Sequence, residues 1–290
     1  MPMFVHFLRM VRFSHTVFAL PFALAALAVI AGRRSGEVSL TWQKVLLVVV
    51  AFTAMRSFAM AVNRYADKEF DALNPRTAQR EIPAGILSPR SVLLFALISL
   101  ATLVLCAWLL SPLAGYLALP AAVMVATYSL AKRFTALCHF WLGLAIGMAP
   151  AAVYIALLQR LYPEALLMSG ALAFYIAGFD ILYALQDCEF DRKAGLYSIP
   201  ARYGEKYALW VSRLSHTASL VLVFFVLHQL GLNGAGIAGL CLLTALLAVE
   251  HWLVGSADAI RYEKIPIAFF HINSAFSISF LLVICAALWL

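Results

Sequence analysis

The feature that most constrains this chain is a succession of apolar runs, each about long enough to cross a bilayer. Nine runs can be delimited: 15–32, 41–62, 91–111, 112–130, 135–157, 164–186, 207–228, 232–254 and 268–290. About 20 apolar residues in a helix cross a hydrocarbon layer ~30 Å thick, and backbone groups in lipid must be hydrogen-bonded within the segment. Only 12% of the 290 residues are charged, about half the share usual in soluble domains. The runs predict an all-α integral membrane protein with nine transmembrane helices in a single domain, residues 1–290.

The amino-terminal sequence "MPMFVHFLRMVRFSHT" precedes the first run. It is not expected to act as a cleavable signal, because the run that follows is long enough to stay in the membrane. Arg9 and Arg12 are instead expected on an amphipathic stretch at the membrane interface.

Charged residues are distributed unevenly between the two predicted membrane faces. With nine spans, the amino terminus and the second, fourth, sixth and eighth loops share one face, which holds most of the 21 lysines and arginines. That excess predicts a cytoplasmic location for this face, and for the protein the cell (inner) membrane. Most of the 14 acids lie there too, although orientation alone enriches only cations. A second requirement must therefore place carboxylates in these loops.

Two acidic segments nearly repeat each other at the ends of the second and sixth runs. Residues 67–71 read "DKEFD" and residues 187–191 read "DCEFD". In each, two aspartates four residues apart share one helix face, where like charges repel. Two such pairs favour a bound divalent cation, and all-oxygen carboxylate sites suit Mg²⁺, which substrate phosphates usually complete. The predicted metal ligands and catalytic residues are Asp67, Asp71, Asp187 and Asp191. The alternative is that these are solvated loop charges, offset by Lys68, Arg192 and Lys193.

Several polar residues lie inside or next to the apolar runs. Asp180 is seven residues before Asp187, and an acid inside a span is functional by default, although it could instead hydrogen-bond a neighbouring helix. The remaining polar residues of this kind are interpreted as hydrogen-bond partners between helices: His139, Glu250, His251 and His271.

Cations accompany both acidic segments. Arg76 and Arg80 lie in "NPRTAQREIPAG", where Pro75, Pro83 and Gly85 indicate an ordered turn. Arg90 follows it, and Lys132 and Arg133 end the fourth run. Arginine and lysine bind phosphate as a fork and as a point charge. Carboxylates with Mg²⁺ and converging cations predict a diphosphate site; the alternative for Lys132 and Arg133 is that they only set the topology.

These segments resemble the motifs of the UbiA superfamily of intramembrane aromatic prenyltransferases. The first motif of that family, Asn-Asp-x-x-Asp-x-x-x-Asp, matches Asn63, Asp67 and Asp71, but Arg64 stands where the family has its first aspartate. The stretch "NPRTAQREIPAG" is similar to the segment that follows this motif. The second motif, Asp-x-x-x-Asp, matches Asp187 and Asp191, and its usual tail resembles "GLYSIPARYG". The sequence "YSLAKRFT", beginning at Tyr128, resembles a third motif, and the likeness covers essentially the whole chain.

The resemblance implies a horseshoe of nine helices around a central cavity, capped on the cytoplasmic side by loops that bear both motifs. It implies transfer of a polyprenyl group from a polyprenyl diphosphate to an aromatic acid in quinone biosynthesis, with Mg²⁺ held by the four aspartates and helped by Asn63. The predicted substrate-binding residues are Asn63, Arg64, Arg76, Arg80, Tyr128, Lys132, Arg133, Asp180 and Lys193.

The resemblance leaves two acceptors open. They are 4-hydroxybenzoate and 1,4-dihydroxy-6-naphthoate, the second in the futalosine route to menaquinone. Both acceptors carry a carboxylate, for which Arg133 is the hypothetical anchor. No nucleic-acid partner is expected.

Two functions of other classes compete with prenyl transfer. A CDP-alcohol phosphotransferase would gather its aspartates in one continuous cluster, whereas here they are divided between two distant segments. An ion-coupled transporter would bind ions near the midplane at broken helices, for which Asp67, Asp180 and Asp187 are the candidates. The predicted position of the acids at helix ends disfavours the transporter.

Overall fold

The structure is a computed structural model that describes residues 3–11 and 18–290. Arg12 and the beginning of the first predicted span lie outside the described residues. The α-helices, in chain order, are α1 (Met3–Met10), α2 (Leu20–Arg33), α3 (Trp42–Ala66), α4 (Lys68–Leu73), α5 (Pro89–Leu110), α6 (Pro112–Ala131), α7 (Cys138–Gly147), α8 (Ala149–Leu158), α9 (Pro163–Ala184), α10 (Cys188–Lys193), α11 (Ile199–Tyr203), α12 (Glu205–Gln229), α13 (Gly234–Val254), α14 (Ile265–Ile267) and α15 (Asn273–Trp289). A short antiparallel hairpin pairs β1 (Gly255–Ser256) with β2 (Ala259–Ile260).

Eight helical segments of the described chain are long and apolar enough to cross a membrane: Trp42–Ala66, Pro89–Leu110, Pro112–Ala131, Cys138–Leu158, Pro163–Lys193, Glu205–Gln229, Gly234–Val254 and Tyr262–Trp289. They correspond to the last eight of the predicted runs. The first run, 15–32, overlaps α2, an apolar helix of 14 residues. The prediction of an all-α, multi-pass membrane protein is confirmed.

The run 135–157 is not one straight helix. It divides at Met148 into α7 and α8, and Pro150 lies in the first turn of α8. Proline has no N–H and its ring clashes with the preceding turn, so a helix tends to break just before it. The carboxyl-terminal run also changes geometry, because a π-helical turn, Ala268–Ile272, precedes α15.

The chain divides into two compact units. Unit 1 comprises the amino-terminal residues to Thr16 together with Trp42–Ala131, and unit 2 comprises Val17–Thr41 and Lys132–Leu290.

In unit 1, α3 packs along α5 and α6. The contact with α5 is lined by small and apolar residues, including Ala54, Phe58, Ala61, Val92 and Ala96. On the other side of α5, Leu94 and Leu97 are exposed, as expected for a helix that contacts lipid. The first motif continues from the end of α3, so this packing determines where the motif begins.

In unit 2, α9 packs between α7 and α12. The approach of α7 to α9 depends on two glycines: a Cβ added to Gly143 would lie 2.3 Å from the Ala173 carbonyl oxygen, and one added to Gly147 would lie 2.7 Å from the Ala173 Cβ. Small residues spaced by four allow such close contact between membrane helices. The second motif continues from the end of α9.

Candidate functional site

The first motif bends the chain at its first aspartate. Helix α3 ends at Ala66 and α4 starts at Lys68, while Asp67 between them has φ −93° and ψ 5°. The Asp67 N–H still donates to the Asn63 carbonyl (2.9 Å) and the Asp71 N–H to the Asp67 carbonyl (2.8 Å). The four-residue spacing predicted from the sequence is therefore kept, although the helix is not continuous. Asp67 and Asp71 are both buried.

A hydrogen-bonded chain of side chains leads from Arg64 to Asp67. The Arg64 Nη1 donates to the Asn63 Oδ1 (3.0 Å), and the Asn63 Nδ2 donates to the Asp67 Oδ2 (3.0 Å). Arg64 is itself buried. Arg64, which stands where the motif that this segment resembles has an aspartate, thus engages the oxygen of the Asn63 amide, and the amide nitrogen donates to Asp67.

The two carboxylate oxygens of Asp71 have different surroundings. Its Oδ1 forms an ion pair with the Arg80 Nη1 at 2.7 Å, and its Oδ2 is buried with no hydrogen-bond partner among the described residues. The Thr77 Oγ1 donates to the Asp71 carbonyl (3.1 Å), so the segment after the motif is an ordered turn, as predicted. Arg76 in this turn is exposed.

Sequence reasoning left Arg56 unassigned. It lies on α3, and its Nε is buried without a hydrogen-bond partner in the part of the chain that the structure describes. Tyr128, on α6, is within electrostatic reach of Arg56, Arg64 and Asp67. Two features of the sequence could have singled out Arg56: a cation inside a span is functional by default, and its seven-residue spacing from Asn63 puts both on one helix face.

The second motif repeats the local geometry of the first. Helix α9 ends at Ala184, a 3₁₀ turn covers Leu185–Asp187, and α10 follows. Asp187 has φ −103° and ψ 3°, nearly the conformation of Asp67. Asp187 is half-buried and Asp191 is buried.

The predicted substrate-binding residues of unit 2 differ from one another in burial and in the partners that they contact. Asp180 forms a 2.7 Å contact through its Oδ2 with the Nδ1 of His139, which confirms His139 as a partner between helices. Lys132 is close enough to Asp191 to act on its charge. Arg133 is exposed. Lys193 is exposed and forms an ion pair with Glu189 at 2.7 Å, so its contact with substrate stays a prediction.

The aspartates fit a magnesium ion by their chemistry. Within each unit, the described residues contain no group of three or more histidine, cysteine, aspartate and glutamate side chains arranged to hold a metal, and each motif supplies two carboxylates. All their donors are oxygens, which Mg²⁺ prefers. A buried carboxylate oxygen without a partner is rare and needs a further ligand, and the Asp71 Oδ2 is such an oxygen.

Comparison with known proteins gives one consistent result. A profile of the UbiA prenyltransferase family matches residues 19–275. The chain is 30% identical over 236 residues to the 4-hydroxybenzoate octaprenyltransferase of Dechloromonas aromatica, a match that covers 80% of this chain and 77% of that one. It is 33% identical over 221 residues to the enzyme of the same name from Thiobacillus denitrificans, covering 75% and 74%.

Solved structures agree with the sequence matches. A UbiA homologue from Aeropyrum pernix K1, solved as an apo structure, has a TM-score of 0.80 at 29% identity, with 94% of this chain and 96% of that one covered. A UbiA homologue from Archaeoglobus fulgidus, bound to DMAPP and Mg²⁺, has a TM-score of 0.70 at 20% identity, covering 97% and 99%. The second likeness concerns the fold alone.

Proposed function

The chain belongs to the UbiA prenyltransferase family, and we propose that this aromatic polyprenyltransferase transfers a polyprenyl group from its diphosphate to 4-hydroxybenzoate. Support for this acceptor comes from relatives about 30% identical that are named 4-hydroxybenzoate octaprenyltransferase. Because the family is one of prenyltransferases, the transporter and the CDP-alcohol phosphotransferase considered from the sequence are set aside.

The metal ligands in this proposal are Asp67, Asp71, Asp187 and Asp191. Support comes from the unpaired Oδ2 of Asp71 and from the A. fulgidus homologue solved with DMAPP and Mg²⁺. When bound, Mg²⁺ neutralises the charge that gathers on the departing diphosphate. Arg80 orients Asp71 by pairing with the Asp71 Oδ1. Only the Oδ2 of this carboxylate is then available to the metal ion.

The cations of the chain bind the diphosphate and stabilise it as it leaves. We assign this to Arg76, Arg80, Lys132 and Lys193, and we propose that Tyr128 and Arg64 also bind the substrate. As the C–O bond breaks, its electron pair goes to the diphosphate, so fixed cations stabilise the transition state more than the ground state. The ring carbon of the acceptor then bonds to the allylic carbon, and the proton that this ring carbon loses passes to the released diphosphate. A dry membrane interior protects the allylic cation from water.

The acceptor carboxylate has two candidate partners. Arg133, predicted from the sequence, is exposed at the end of the "YSLAKR" segment. Arg56 offers a buried Nε without a hydrogen-bond partner among the described residues. A guanidinium pairs with a carboxylate through two parallel hydrogen bonds, so either residue could orient the ring.

The finer architecture is part of the same proposal. Nine transmembrane helices, with α2 as the first, surround a central cavity, and loops bearing both motifs cap it on the cytoplasmic side. Support for α2 as a membrane helix is its apolar sequence and the burial of most of its residues. The protein would then lie in the cell (inner) membrane, where its isoprenoid substrate is dissolved.

The decisive experiment is a paired assay of purified enzyme in lipid nanodiscs. Octaprenyl diphosphate and Mg²⁺ are supplied with 4-hydroxybenzoate or with 1,4-dihydroxy-6-naphthoate, and the prenylated product and released diphosphate are quantified. We expect turnover with 4-hydroxybenzoate; turnover with the naphthoate alone would assign the other acceptor. Asp67→Asn and Asp187→Asn should each abolish turnover, since each removes a metal ligand. An absence of diphosphate release with both acceptors would refute the proposal.

A further inference from the structure

The segment after the second motif is tied to the connection that precedes α7 and to the first residues of α7. The Tyr197 N–H donates to the Lys132 carbonyl (2.6 Å), and the Tyr197 carbonyl accepts from the Cys138 thiol (Sγ–O 3.3 Å). The Ile199 N–H donates to the Nε2 of His139 (3.3 Å). Three contacts, two of Tyr197 and one of Ile199, fix this part of the backbone.

The same segment holds Asp191. The Leu196 N–H donates to the Asp191 carbonyl (2.8 Å), and the Ser198 hydroxyl lies near enough to the Asp191 carboxylate to influence its charge. The Ser198 Oγ also accepts from the Ala201 N–H (3.3 Å) at the start of α11. Ser198 is buried, beside this carboxylate.

Asp180 determines which nitrogen of His139 carries the proton. The Ile199 N–H donates to the Nε2, so that nitrogen must keep its lone pair, and in the neutral ring the proton resides on Nδ1. The Nδ1 lies 2.7 Å from the Asp180 Oδ2 and donates to it. His139 is 3% exposed, so water cannot readily substitute for either partner.

We propose that Asp180 and His139 form a positioning pair that holds the 194–199 segment, and through Ser198 the carboxylate of Asp191, in its working orientation. Neither Asp180 nor His139 belongs to the second motif, and the pair affects this motif by fixing the segment that follows it. Neither residue needs to touch substrate for this role, which rests on the proposed function of Asp191.

A role limited to joining two helices does not account for the pair. Helices α7 and α9 already meet through Gly143, Gly147 and Ala173. An acid in a membrane helix is costly, and a packed apolar pair would join the helices as well or better. An apolar pair, however, could not accept the hydrogen bond from the buried Ile199 N–H.

Hydrogen–deuterium exchange in nanodiscs tests the structural half of the proposal. His139→Leu and Asp180→Leu should both accelerate exchange in peptides covering 194–201. Asp180→Asn should preserve protection, because the amide oxygen still accepts from Nδ1–H. The matched control is His216→Leu, since His216 is equally buried in the same unit and bonds to His251 (3.0 Å). It should leave the 194–201 peptides protected even if it lowers thermal stability.

Steady-state kinetics test the functional half. His139→Leu and Asp180→Leu should raise the KM for the prenyl diphosphate about tenfold, the effect expected for a lost hydrogen bond to a charged group. The acceptor KM should stay unchanged. The double variant should be no worse than either single variant, because the two residues act as one unit. Ser198→Ala should raise the same KM and, within 194–201, accelerate exchange only at Ala201, whose N–H loses its acceptor. Ser198→Thr should restore both.

Several results would overturn the proposal. They are unchanged exchange in His139→Leu, multiplicative effects in the double variant, or a rise in the acceptor KM alone. A higher diphosphate KM in Asp180→Leu with an undisturbed segment would instead mean that Asp180 contacts substrate directly. Failure of the proposed function would be recognised separately, as wild-type protein that protects 194–201 but turns over neither acceptor.

Discussion

Arg64 adds a positive charge to a motif whose proposed task is to bind a cation. It engages the Asn63 Oδ1 and is within electrostatic reach of Asp71. Like charges at short range oppose each other, most strongly where water is excluded. Arg64→Asp, which restores the family's motif, should therefore tighten Mn²⁺ binding to the purified protein by about threefold or more. Electron paramagnetic resonance of free Mn²⁺ during a titration measures this.

The control for Arg64 is Arg90→Asp, which makes the same charge change at an exposed position near the start of α5. It should shift Mn²⁺ affinity far less, because exposed charges are screened. Equal shifts in both variants would mean that Arg64 acts only through net charge, and weaker binding in Arg64→Asp would contradict the prediction.

The two arginines proposed for the acceptor carboxylate can be separated by kinetics. Arg133→Ala should raise the acceptor KM by about tenfold and leave that of the prenyl diphosphate unchanged, because a charge-assisted pair is lost on the acceptor side only. Arg56→Gln is the companion variant. If the acceptor KM responds to Arg56→Gln and not to Arg133→Ala, the carboxylate binds at α3 and the role of Arg133 is removed.

At the scale of elements, helices α7 and α9 pack too closely at Gly143 to accommodate a larger side chain. Gly143→Ala should destabilise the protein by about 2 kcal/mol, since overpacking a tight contact typically costs 1–3 kcal/mol and the new Cβ would meet backbone at 2.3 Å. Thermal unfolding in detergent, followed by tryptophan fluorescence, measures the change. Gly234→Ala is the control, because nothing lies within 4 Å of the Cβ it would add; an equal loss there would show that the contact is not responsible.

The helices that carry the motifs also show which structural features the sequence pattern predicts and which it does not. The four-residue spacing of the aspartates predicted their common face, because hydrogen bonds to Asn63 and Asp67 maintain the spacing across the bend. The bend itself depends on the φ and ψ of a single residue, which spacing does not determine. The type of contact made by His139 was predictable, but its partner, 41 residues away, is selected by how α7 packs on α9.

At the scale of the whole molecule, the distribution of charge predicts the orientation in the membrane. Gln79→Cys and Lys193→Cys should react with a membrane-impermeant maleimide only after spheroplasts are permeabilised, whereas Arg160→Cys should react in intact ones. All three positions are exposed, and wild-type protein gives the background from its five cysteines. If positions 79 and 193 reacted from different sides, the two motifs could not serve one diphosphate.

Hydropathy predicted nine spans, and in the described part of the chain eight of them are helices long enough to cross the bilayer. The remaining run overlaps α2, which begins at Leu20, and the beginning of that run is outside the described residues. Residues such as Pro150 and the π-helical turn at Ala268–Ile272 alter helix geometry without altering the apolar composition. Composition therefore predicts which segments enter lipid, and packing determines their internal shape.

An arginine on α3 also affects how the protein is made. Arg56 lies near the middle of α3, and an arginine at a helix centre adds roughly 2.5–3.5 kcal/mol to the free energy of insertion from the translocon. The apolar stretch that begins at Val45 about balances this cost, which leaves α3 only marginally able to insert alone. Stable integration of α3 should then wait until the ribosome has released α5, the helix it packs along. Biogenesis would proceed by helical hairpins here, and not one span at a time.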